Sequence, residues 1–484
     1  MEKINCGKNI VDILLFNGLI ILLIANLLFI QEDISNRIAG LIVSVIIYLI
    51  LTYDKWGICG LSGLKILAWP SIIFVSYTLI IAIPSIYITI INSGVEREYY
   101  YFSILLFYLI IPIGYKLSNK ISYIDMDRIK SMSFRPFSVY KGDGLYTELI
   151  KILFITCLFI FINYLIRTPH IPIIEMIKHP GEGSILSLLR EESMKLLNVT
   201  FIEKYMFAWL RELFIPIGVA ACLFLVYTQK NTSYKILFVL FLVFGVINNS
   251  LVLTKSPVAA LFLALFGVIF LKKGKITVKF LLFSTIVIFM FPLLVYMFVS
   301  PEDSQMRNVF HVMWMISVRL FIVPAEVLYQ YFDIFPRIHN FLYGRSTNLF
   351  SWLHHDGHFN APNYVAKLWW NEPDTTGSAN AIFLGNFWAD FGIVGIILSM
   401  LVIGLIVHIL YYNLVKATSY RKNIIYISLT AGLLPVFTFS FISSNFTTLI
   451  LTRGLLIIWF VLKIVQLRNR TNKDKTVSNT INTK

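Results

Sequence analysis

Apolar runs of about 20 residues recur along the chain, and they set the solvent it folds in. A run of that length crosses a bilayer as a helix. In hydrocarbon the backbone has no water to bond, and a helix satisfies its own N–H and C=O groups. The fold class expected is therefore an all-α polytopic integral membrane protein. Charge agrees with this. Only 14% of the 484 residues are Asp, Glu, Lys or Arg, against about 25% in soluble domains.

Twelve spans are expected, at roughly 10–30, 38–53, 64–91, 99–115, 148–166, 205–227, 236–253, 257–271, 280–300, 381–411, 423–442 and 446–466. The first follows Lys3 and Lys8 without a small-residue cleavage site, which predicts a retained anchor. The third carries Pro70 and Pro84 and should kink. Cys6, Cys59, Cys157 and Cys222 show no ligand spacing, and none falls in an expected outer loop, so no disulfide framework is expected.

Lys and Arg placement orients the chain. The short loops "KKGKITVK" (272–279) and "SYRKN" (419–423) are basic and mark the cytoplasmic side, which puts both termini inside. The net charge of +15 is thus a topology signal and calls for no nucleic-acid partner. The expected organisation is N-terminal membrane helices to 166 with a cytoplasmic loop at 116–147. A first long periplasmic loop follows at 167–204, then central helices at 205–300. A large periplasmic loop at 301–380 leads to C-terminal helices at 381–466 and a polar tail at 467–484.

Charges inside spans are costly and point to function or to internal pairing. Arg211, Glu212, Lys255, Asp390 and Arg453 all fall at the depth expected for the outer leaflet. Glu212 and Asp390 can neutralise two of the three cations, and the surplus suits an anionic headgroup such as a lipid diphosphate. The stretch "SQMRNVFHVMWMISVRLFIV" (304–323) should form an amphipathic helix on the membrane face. It gathers Ser304, Arg307, His311 and Arg319 on one arc, with Met315 and Val318 in the same arc.

The stretch "FLYGRSTNLFSWLHHDGH" (341–358) holds three His and an Asp within five positions. Gly357 interrupts any helix that would converge His354 and His358, so a wet turn is expected and no metal site. Arg345 is the better candidate for chemistry. Gly344 allows a tight turn before it, and its guanidinium offers a planar fork of donors to a phosphate or sugar. That turn can bring His339 close as a general base, with Asp390 as the second candidate. The plain alternative is that Arg345 is a surface residue of a wet loop.

The order "FPRIHNFLYGRST", then a polar aromatic loop, then "TGSANAIFLGNFWADFGIVGIILSMLVIG" resembles the Wzy-type oligosaccharide repeat-unit (O-antigen) polymerases. "LTKSPVAALFLALFG" is similar to that family's tight turn between two spans. The resemblance implies an enzyme of surface-polysaccharide synthesis in the bacterial inner membrane. Its substrates would be polyprenyl-diphosphate-linked oligosaccharides, joined without cofactor or nucleotide sugar, and a chain-length regulator would be a possible partner. Arg345, His339 and Asp390 would be catalytic, and Arg211, Lys255, Arg307, Arg319 and Arg453 would bind substrate. The related ligases place a His–Asn pair shortly before an acidic-x-Gly-x-x-Gly element. Here Ala379–Asn380 precedes Asp390, which leans toward polymerase. A ligase and a polysaccharide flippase or other transporter are the alternatives.

Overall fold

The computed structural model describes residues 34–52, 67–119, 144–178, 200–273, 308–347 and 354–481, apart from short gaps within them, and a few positions elsewhere. The described residues are predominantly helical and contain no strand. Among the described residues seven helices are long and apolar enough to cross a membrane: Ile34–Thr52, Trp69–Ile91, Glu96–Ser118, Tyr146–Arg167, Ile202–Gln229, Thr232–Ser250 and Phe383–Ala417. An eighth arises if the bent pair Val309–Phe321 and Val323–Ile334 forms one broken span.

These seven coincide with expected spans two to seven and ten. The expected span at 257–271 is a 19-residue helix, Lys255–Lys273. The region of the last two spans is interrupted: Ile424–Gly432 is followed by π-helical turns at Val436–Ser440 and Thr448–Thr452, and then by Leu455–Ile481. The expected spans at 10–30 and 280–300 lie wholly or largely outside the described residues, as do most of the loops at 116–147 and 167–204.

The chain forms two compact units. One comprises Met1–Gly60, Tyr77–Ser122 and Phe321–Ile406; the other comprises Leu61–Ser76, Tyr123–Leu320 and Val407–Lys484.

In the first unit, helix α1 (Ile34–Thr52) shows how such a chain folds. Ile34, Ile38, Ile42, Ile46 and Ile50 are exposed, one every fourth residue, while Arg37, Gly40, Leu41, Ser44, Ile47 and Tyr48 are buried. The apolar stripe faces outward, as it must where the solvent is lipid. Helix α2 (Glu96–Asn119) packs on the buried face of α1. There the Arg37 guanidinium donates to Glu98 at 2.7 Å and lies over the Tyr101 ring. Helix α3 (Val323–Ile334) also packs on α2, with the Tyr100 hydroxyl donating to the Ala325 carbonyl at 2.8 Å. Helix α4 (Phe383–Ala417) crosses α2 where two glycines meet. A Cβ at Gly404 would lie 2.7 Å from the Ile111 carbonyl oxygen and 3.3 Å from the Gly114 Cα, so only bare backbone fits.

The large loop expected at 301–380 is therefore partly helical. α3 has no counterpart in the sequence reading. The expected amphipathic helix is present as Val309–Phe321, with Phe310 and Trp314 exposed and Val312 buried. Ser304 and Arg307 lie outside the described residues.

In the second unit, Ile215–Gln229 packs against Thr232–Ser250, Lys255–Lys273 and Ile424–Gly432. Lys422, in the loop "SYRKN", is buried, and its Nζ donates to the Leu271 carbonyl at 3.5 Å. Burial pushes its pKa below the ordinary 10.5. An ammonium there meets the carbonyl-rich end of the Lys255–Lys273 helix, where a cation is favoured.

Candidate functional site

The site is built on a break in α4. Gly392 has φ 58° and ψ −140°, a conformation that side-chain-bearing residues avoid. The break leaves the short stretch from Phe383 to Phe391 with unpaired carbonyls at its end. The chain at 342–343 fills them: the Leu342 N–H donates to the Ala389 carbonyl at 2.8 Å and the Tyr343 N–H to the Asp390 carbonyl at 3.0 Å. The backbone then turns through Tyr343 (φ 51°) and Gly344 (φ 99°), as the glycine predicted.

Asp390 fixes the next residue. Its Oδ1 accepts the Ser346 N–H at 3.0 Å and its Oδ2 accepts the Ser346 hydroxyl at 2.7 Å. The Asn386 amide donates to the Ser346 Oγ at 3.1 Å. Asp390, Asn386 and Ser346 are all buried. Glu212 and Asp390 were the two acids expected to neutralise membrane cations. In the structure the Asp390 oxygens are engaged by the turn that carries Arg345, so the carboxylate can position that turn.

Arg345 emerges half-buried from this clamp. It pairs with Asp356 at 3.2 Å, its Nε donates to the Gly357 carbonyl at 3.4 Å, and its guanidinium lies 5.9 Å from the Phe359 ring centroid. His339 reaches the same ring, at 5.0 Å between centroids. Arg345 and His339 thus both border the Phe359 ring. His339 Nδ1 lies 2.8 Å from the Asn340 carbonyl. A carbonyl only accepts, so Nδ1 is the donor in this contact.

The His-rich end of the stretch bonds to the backbone where it is described. His354 Nε2 donates to the Tyr343 carbonyl at 2.7 Å, and His358 Nδ1 donates to the Arg345 carbonyl at 3.1 Å. Two histidines thereby hold the returning chain against alternate residues of the arginine turn. Among the described residues no group of His, Cys, Asp and Glu is placed to hold a metal.

The remaining candidates fall in the second unit. Arg453 pairs with Glu212 and donates to the Ser444 hydroxyl at 3.2 Å. Glu212 lies in the π-helical turn Leu210–Phe214, and Arg453 follows another, Thr448–Thr452. Arg211 Nε donates to the Phe207 carbonyl at 3.3 Å, and the residue borders a cavity of about 10 Å³ with Asn248 and Tyr164. That is room for a single water. Arg319 is exposed on Val309–Phe321. Lys255 opens its helix, but its side chain and all of Arg307 lie outside the described residues.

Sequence reasoning missed Ser346 as a partner of Asp390, Asn386 beside it, and the Arg37–Glu98 pair. The acidic-x-Gly-x-x-Gly pattern was a usable signal for the first two, because it marks the broken helix end. No protein-family model matches the chain. No curated protein matches it, and no solved structure does.

Proposed function

We propose that this chain is a membrane glycosyltransferase that polymerises lipid-linked oligosaccharide repeat units at the outer face of a bacterial inner membrane. The observation that carries this reading is the Asp390 clamp. A buried carboxylate in a membrane helix is expensive to maintain, and here it holds the turn that presents Arg345. Such rigid support is what a reacting site requires.

In the proposed reaction the acceptor sugar hydroxyl attacks the anomeric carbon of the growing glycan. A new C–O bond forms, and the C–O bond to the polyprenyl diphosphate breaks with its electron pair going to the diphosphate. His339 Nε2 takes the hydroxyl proton. Arg345 stabilises the charge developing on the diphosphate, exchanging its contact with the exposed Asp356. No cofactor is needed. Arg211, Lys255, Arg307 and Arg319 stay as proposed headgroup contacts, while Arg453 is already matched by Glu212.

Deletion of the gene and electrophoresis of the surface glycan tests this. Glycans limited to one repeat unit are expected. Loss of all glycan from the acceptor core points to a ligase. Lipid-linked units retained on the cytoplasmic side point to a flippase. The Glu212–Arg453 pair favours that transporter reading as the second choice, because an ion pair between two π-helical turns suits an element that rearranges.

A further inference from the structure

The first unit holds a cavity of about 610 Å³ next to the Gly392 break, a volume in the range of small-molecule sites. Its wall is aromatic. The Trp388 ring stacks on Phe332 at 4.1 Å between centroids, with Phe341 edge-on at 6.0 Å and Tyr99 at 6.1 Å. Trp388 and Phe332 are buried, and Trp388 is locked by its Nε1 donating to the Phe335 carbonyl at 2.8 Å. Tyr99 and Phe391 are exposed at its rim.

Glu96 and Arg337 line the cavity. Arg337 is tied to Asp333 at 2.6 Å and lies 3.9 Å from Glu96. Among the described residues that line the cavity stand one guanidinium and one carboxylate, so their charges cancel, and a diphosphate finds no surplus cation in that lining and an ammonium no surplus carboxylate. Glu96 opens the first turn of α2, which sets the cavity at the end of a span, where polar ligands have access.

Aromatic faces carry negative quadrupole density and attract the weakly positive C–H faces of a neutral ring, while the paired Arg and Glu can exchange hydrogen bonds with hydroxyls. We infer that this cavity is a subsite for an uncharged sugar ring, stacked on the aromatic wall with its hydroxyls turned to Arg337 and Glu96. It adjoins the Arg345 turn through Phe341, whose ring lies within 3.1 Å of where a Gly392 Cβ would stand. The inference rests on the proposed function for what the sugar is part of, and on the cavity alone for the sugar itself.

The test is saturation-transfer NMR on the full chain in phosphatidylcholine nanodiscs, with methyl glycosides of glucose, galactose and N-acetylglucosamine as probes. Transfer to the ring C–H protons of at least one glycoside is expected. It should fall at least fivefold in Tyr99→Ala and in Arg337→Gln, two exposed positions whose replacement leaves the core intact. Sodium diphosphate and choline should not displace it. No transfer from any of the three, transfer unchanged in both variants, or displacement by diphosphate or choline overturns the inference. Glycoside binding with an unaltered glycan ladder in the deletion strain would sink the polymerase reading and leave the subsite standing. A shortened ladder without glycoside binding would do the reverse.

Discussion

Arg345 is the residue on which the proposed chemistry turns, and its setting makes distinct variants informative. Its fork of donors lies against Phe359, and its carboxylate partner is exposed. Arg345→Ala should lower polymerisation by about 100-fold or more, the usual cost of removing one donor to a developing anion. Arg345→Lys should not restore it, because an ammonium cannot present the planar fork. His355→Ala, at an exposed position of the same stretch, should leave the ladder as in the parent. Glycan ladders at matched protein levels read all three, and a normal ladder in both Arg345 variants would move the chemistry elsewhere. Asp390 has its own signature. Asp390→Asn keeps an acceptor for the Ser346 N–H and should retain activity within about tenfold, a loss near 1.4 kcal/mol. Asp390→Ala removes the clamp and should be inactive. Equal loss in both would favour Asp390 as the base.

At the scale of helices, the crossing of α2 and α4 tolerates no side chain. Gly404→Leu should cost about 1–3 kcal/mol, because its Cβ would already press on the Ile111 carbonyl and the relief must come from separating two backbones. A thermal melt in detergent micelles checks this, and an unchanged midpoint would mean that the helices do not cross there. The same scale shows what the sequence disclosed. The long apolar helices were legible because hydropathy over about 20 residues is a local property. The Gly344 turn was legible because glycine marks positive φ. Helix α3 was not, since "VPAEVLYQYFDI" is short and mixes charge with aromatics in a way that also suits a wet loop. The Ser346–Asp390 and Arg37–Glu98 contacts span 44 and 61 residues, and no local pattern encodes such pairings. The interruptions after Gly432 were hidden for a different reason: a π-helical turn changes hydrogen-bond register without changing hydropathy.

For the whole molecule, the sidedness expected from Lys and Arg placement is open to direct measurement. Single cysteines at Ser351 and Ser131, in a cysteine-free background, should react differently with an impermeant maleimide in intact cells. Position 351 should label and position 131 should not; the opposite pattern would invert the chain and remove the proposed site from the outer face. Length matters here too. At about 1.5 Å per residue, the 35 residues of α4 would make a straight rod of about 52 Å, against a hydrocarbon layer of about 30 Å. The break at Gly392 takes nine residues off that rod and leaves a remainder much nearer the thickness of the layer. One helix is thus both anchor and ledge. A residue that straightened it would lift the ledge, and the arginine turn pinned to it, away from the rest of the helix end on which that turn is built.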